Sequence, residues 1–194
     1  STNNTDLVSV QVWVKAGSRY ELNGENGLAH LVESAADEGT KNYPSGDQDN
    51  GGPTGAIDSI GGQSASLTSR DSTFYSVDVA KPYFATAVRV LADMVLRPDL
   101  SSAAIEDARL RMGNDLLRHS LDGVAVATDM AYARAYAKHP YRFPDGGSLG
   151  TLAALSAAKA QAFHKRQYVG PNISVVIAGD VSADEAQAVV TREF

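Results

Sequence analysis

The chain has 194 residues, 43% hydrophobic and 21% charged, enough apolar matter for a globular core without a metal or disulfide staple. It holds no Cys, which excludes disulfide frameworks, thiol catalysis, iron–sulfur clusters and Cys-ligated zinc, so any metal must sit on His and carboxylates. Seventeen Lys and Arg against twenty-three Asp and Glu give −6 with no long basic run, which argues against nucleic acid and against an anionic membrane surface as partners. No stretch is long and apolar enough to span a bilayer, so no membrane insertion is expected, and the polar start from Ser1 to Asp6 does not read as a signal peptide. The expectation is a soluble chain, or a soluble piece of a longer one.

Val8, Val10, Val12 and Val14 alternate with Ser9, Gln11 and Trp13, the period-2 pattern of a strand with one buried face. Residues 16–26 carry turn signals, and an apolar-periodic stretch from Gly27 to Glu38, ended by Gly39, reads as a short helix. Residues 42–56 are rich in Gly, Pro and Asp and read as a surface loop; Ile57 and Ile60 then anchor a helical turn that stops at Gly61 and Gly62. Residues 63–69 and 73–79 read as two strands joined by a hairpin turn at Ser69 to Ser72.

Pro82 opens a helix with Phe84, Val88, Leu91 and Val95 at helical spacing, which Pro98 stops. Ser101 or Ser102 caps the next, with Ile105, Ala108, Met112 and Leu116 on one stripe. Further helices are expected over 123–138 and from Ser156 to Tyr168, separated by a turn-rich loop at 139–147. Asn172 to Ala178 reads as a buried strand, and Ser182 starts a last helix. This order predicts an α+β domain, a mainly antiparallel sheet with helices packed on one face, as a single unit over 1–194.

The informative residues lie on the first helix. His30, Glu33 and Ser34 occupy i, i+3 and i+4, with Asp37 at i+7, so all four project from one face. An imidazole beside a carboxylate makes a metal half-site or a general-base pair. On spacing alone the plainer alternative, a His satisfied on a half-buried helix, is the more frequent one. Elsewhere the plain readings hold: His119, His139 and His164 as solvated side chains, Arg19, Arg70 and Asp71 as turn anchors, and Trp13 as core or a contact for another domain. Gly146 and Gly147 lack the context of a phosphate loop, and Asp47, Asp49 and Asn50 are only a fragment of a calcium loop.

GSRYE at 17–21, NGLAHLVES at 26–34, EGTKNYP at 38–44, TSRDSTFY at 68–75, HPYRFPDGG at 139–147 and IAGDVS at 177–182 stand in an order and spacing that resemble the N-terminal domain of the pitrilysin, insulinase and mitochondrial processing peptidase family. The resemblance covers almost the whole chain. Active members carry an inverted zincin motif, H-x-x-E-H, on a helix, and hold zinc with its two His and a Glu from a later helix.

Carried over, His30 matches the first zinc ligand and Glu33 the general base. The second ligand position is Ser34, and the third falls at Asp115, one methylene shorter than Glu. Further departures are Ala108 for an acidic residue, Ala65 and Ser66 for Asn-Ala on the substrate-facing edge strand, and Asp37 and Glu38 for Phe and Lys. Zinc takes three protein ligands at ~2.0–2.1 Å, and a neutral serine hydroxyl is not among its usual partners. The resemblance therefore implies zinc in the family and an absent or weak zinc site here.

It further implies a peptide that adds as a strand along 63–69, with Ala65, Ser66, Leu67 and Thr68 as contacts, and a homologous domain or subunit as partner in a clamshell. Two readings stay open. One is a non-catalytic peptide-binding or scaffold member; the other is a zinc endopeptidase on a variant site of His30, Asp115 and Asp37, with Glu33 activating water.

Overall fold

The computed structural model describes residues 6–46 and 51–194. Four strands, β1 (Leu7–Val14), β2 (Gln63–Thr68), β3 (Thr73–Ala80) and β4 (Ile173–Gly179), form one sheet in the order β2-β3-β1-β4. All three pairings are antiparallel, with Val10 opposite both Val77 and Ile177, and Ser66 opposite Tyr75. The strand pattern sorts the side chains cleanly: Val8, Val10, Val12 and Val14 are fully buried with Tyr75, Val77 and Val79, while Trp13 lies on the other face, stacked on Phe74 at 4.7 Å. Each buried valine contributes about 1.5–3 kcal/mol.

Helices cover the valine face: α1 (Leu28–Glu38) and α3 (Phe84–Leu96) lie directly on the sheet. Leu28, Leu31, Val32, Ala35 and Ala36 form the buried stripe of α1, and Ala87, Val88, Leu91 and Val95 that of α3. Helix α4 (Ser102–Leu121) packs on α1 through Ala108 and Met112, and α5 (Gly123–Ala135) folds back along it. Then come α6 (Leu149–Ala153), α7 (Ala157–Gln167) and α8 (Ala183–Glu193). The α+β architecture with helices on one face of an antiparallel sheet is the expected one.

Four local features differ from the sequence reading. The last strand, expected to be buried, has no fully buried residue, because β4 stands at an end of the sheet and pairs only with β1. Residues 52–58 are helical (α2, Gly52–Asp58), because Pro53 occupies the first turn, where its missing N–H costs nothing. The short α6 lies where no element was expected; Ser148 and Thr151 make a reciprocal capping box that a five-residue segment does not advertise by periodicity. His164, read as solvated, is half-buried: its Nε2 lies 2.8 Å from Val95 O, its ring stacks on Tyr168 at 4.5 Å, and burial lowers its pKa. Asp47, Asp49 and Asn50 lie outside the described residues.

Candidate functional site

Helix α1 begins without a capping side chain of its own. Gly27, at the N-cap, has φ 94°, and its missing Cβ admits Gly146 O, which a Cβ there would meet at 2.6 Å. The cap comes from Glu21, whose carboxylate accepts from Gly27 N at 3.1 Å and Ala29 N at 2.8 Å. Burial outweighs those two bonds and pushes the Glu21 carboxyl up to about 8. These contacts fix the start of α1, and with it His30, against the 139–147 loop.

His30, Glu33, Ser34 and Asp37 share one side of α1, as the spacing requires. His30 Nε2 stands 3.8 Å from Glu33 Oε2. Glu33 is 5% exposed, and its Oε1 accepts from Ser66 Oγ, on β2, at 2.6 Å; Oε2 is buried with no hydrogen-bond partner. The same Ser66 hydroxyl contacts Asp37 Oδ2 even more closely. A hydroxyl has one proton, so it donates to one carboxylate and must accept from the other, which then carries the proton. Burial first and the neighbouring Glu33 second push the Asp37 carboxyl up to about 7. Ser34 is half-buried one turn beyond His30.

Asp115 comes from α4. Its side chain is 55% exposed and pairs with Arg118 at 3.1 Å. It nevertheless lines the same cavity as His30, a space of about 350 Å³ whose wall also includes Thr68, Arg70, His119 and Asp129. Arg70 organises that wall: its guanidinium stands 3.5 Å from Asp129, 3.4 Å from Asp145 and 3.8 Å from the centre of the Tyr132 ring, and its Nε donates to Tyr141 O. His119 Nε2 lies 2.7 Å from Asp129. Arg19 and Asp71 pair at 2.7 Å, and Tyr141 Oη donates to Asp71 at 2.5 Å.

Strand β2 is one edge of the sheet, and β4 is the other. Ser66 and Thr68 turn toward the helices, whereas Ala65 and Leu67 are exposed on the other face. One long side of β2 thus offers unpaired backbone groups beside the His30 and Glu33 cluster.

This combination, an antiparallel sheet carrying a His-x-x-Glu helix over its edge strand, defines a metallopeptidase-like domain. The chain belongs to the M16 peptidases: the family model described as "Insulinase (Peptidase family M16)" matches residues 1–144, and "Peptidase M16 inactive domain" matches 154–194. It is 29% identical to a protein named as an uncharacterized zinc protease from Mycobacterium leprae, over 96% of this chain and 41% of that protein. It is also 29% identical to the beta subunit of the human mitochondrial-processing peptidase, over 91% of this chain and 35% of that protein. The fold is that of a protease from Helicobacter pylori, with a TM-score of 0.91, 22% identity and coverage of 100% of this chain and 46% of that one. The chain thus spans less than half the length of these relatives.

The residues present do not fit the zinc that the relatives' names carry. Among the described residues no three of His, Asp and Glu come together at a spacing that holds a metal ion. The motif helix supplies one imidazole, the next ligand position is a hydroxyl, and Asp115 is turned to Arg118. The Ser66 bridge between Glu33 and Asp37, by contrast, links residues 33 and 29 positions apart on two elements and has no local sequence signature. Its only trace was that both Asp37 and Ser66 depart from the family pattern. The Arg70 network was visible only as a turn-anchoring Arg-Asp pair.

Proposed function

We propose that this chain is a non-catalytic member of the M16 family, a peptide-binding or scaffold domain that works beside a homologous domain or subunit. The observation behind this reading is the state of the ligand positions: His30 alone on its helix, Ser34 in place of an imidazole, and Asp115 paired with Arg118. Strand β2 keeps its free edge, and binding by strand addition needs backbone hydrogen bonds, not an ion. The human relative is named as a subunit, and a subunit role is carried to this chain as part of the proposal.

A second reading, a zinc endopeptidase on a variant site, draws on one feature: Glu33 Oε2 is buried, unpartnered and turned toward His30. The two separate in one experiment. An extended peptide labelled with a fluorophore is titrated with the chain in zinc-containing buffer, binding is followed by anisotropy, and peptide integrity by mass spectrometry. Saturable binding with intact peptide is the expected result. Cleavage that Glu33→Gln abolishes would replace the first reading with the second.

A further inference from the structure

A second cavity, of about 220 Å³, opens where the end of α1, the start of α2 and the edge strand β2 meet. Sites for whole small ligands run to ~300–1,000 Å³, so this one has the capacity of a single side chain. Its wall is polar: Asp37, Thr54, Ser64 and Ser66 line it from the helix side of the sheet, with Met94 as an apolar surface.

Among the described residues no Lys or Arg pairs with Asp37 or Glu33; the nearest guanidinium partner on α1 belongs to Glu38, which holds Arg111 at 3.1 Å. Ser66 donates to Glu33 and accepts from Asp37, whose carboxyl is the one acidic group lining the pocket. Its carboxyl and hydroxyl oxygens can all accept from a ligand rich in N–H groups, and the carboxyl can ionise beside a cation.

We propose that this pocket takes the cationic side chain, Lys or Arg, of a peptide laid along the free edge of β2. The inference rests on the peptide-binding reading above and adds a side-chain preference to it. An entering ammonium or guanidinium donates to Asp37 and to the hydroxyls around it; the Asp37 proton leaves to solvent, and Ser66 keeps its bond to Glu33. The methylenes of the same side chain pack on Met94. Asp37 and Ser66 are then the specificity-determining residues: one supplies the charge, the other ties it to α1 and β2.

The test is a set of labelled extended peptides, identical except that Lys, Arg, Leu or Glu is walked through successive positions, with binding to the full chain read by anisotropy. In one register, Lys or Arg is expected to bind about tenfold more tightly than Leu, with Glu weakest. The Lys and Arg arms tell an ammonium preference from a guanidinium one. Asp37→Asn is expected to shrink the preference to within about twofold, with its fold checked by circular dichroism; should that variant unfold, the wild-type series decides alone. Thr54→Val, on the opposite wall, is expected to weaken the Lys peptide more than the Leu peptide. Peptides that bind with no preference among the four overturn this inference and leave the peptide-binding reading standing. Absence of binding by every peptide overturns both.

Discussion

The Ser66 hydroxyl, on the edge strand, donates to Glu33 Oε1, on the first helix, at 2.6 Å, across 33 residues of sequence. The bond ties the Glu of the His-x-x-Glu helix to the edge strand β2. Removing it leaves a second oxygen of a buried carboxylate without a donor. Ser66→Ala is expected to lower stability by about 1–3 kcal/mol in urea unfolding. Glu33→Gln in the Ser66→Ala background is expected to recover part of that loss, because a neutral amide is less costly to bury. A Ser66→Ala chain as stable as the wild type would show that the bond carries nothing.

Stability should fall as pH rises from about 4 to 8. The Glu21 carboxyl is pushed up to about 8 and that of Asp37 to about 7, both chiefly by burial. A carboxyl raised in the folded state binds more protons folded than unfolded, so its contribution is best below the unfolded value near 4 and declines as pH climbs through the folded one. The expected loss is on the order of several kcal/mol between pH 4.5 and 8. Glu21→Gln and Asp37→Asn should each flatten the slope. At lower pH the trend reverses, because Asp71, held low by Tyr141 and Arg19, loses those bonds on protonation. Urea midpoints that rise from pH 4.5 to 8 would contradict this assignment.

Gly27→Ala tests the close approach that sets α1 against the 139–147 loop. The added methyl meets Gly146 O at 2.6 Å at a φ of 94°, so both contact and backbone oppose it. A loss of about 2 kcal/mol or more is expected, visible as a drop of several degrees in Tm. The reciprocal site, Gly147, has φ 72° and would set a Cβ 2.4 Å from Asn26 O, so Gly147→Ala should act in the same direction.

Arg70→Met removes the guanidinium that lies between Asp129 and Asp145 over the Tyr132 ring. Two carboxylates then face one another across the cavity wall with His119 as the remaining nearby base. Faster amide exchange through 139–147 and a stability loss of about 2 kcal/mol are expected. Exchange in α3, none of whose residues lines that cavity, should not change.

The strands β1 and β3 and the helix α3 were legible in the chain because each carries one unbroken apolar period, and burial on one face rewards that period directly. The start of α2 was not, since its helix opens on Gly51, Gly52 and Pro53, residues whose ordinary reading is a loop. His30, Glu33 and Asp37 were legible as one helix face. What joins them to Ser66 was not, because a hydrogen bond between elements depends on packing, which local spacing does not encode. The orientation of Asp115 toward Arg118 is of the same kind: the sequence places the residue on α4, and only its neighbour one turn on decides where its carboxylate goes.

The most direct test of the central claim is zinc content, by elemental analysis of chain purified without chelator, in wild type and in Ser34→His. Zinc well below one per chain in the wild type, rising in the variant, is the result expected of a scaffold whose ligand set is incomplete at Ser34. One zinc per wild-type chain, lost in Asp115→Ala, would show that His30 and Asp115 hold the metal without a second imidazole and would contradict the non-catalytic account.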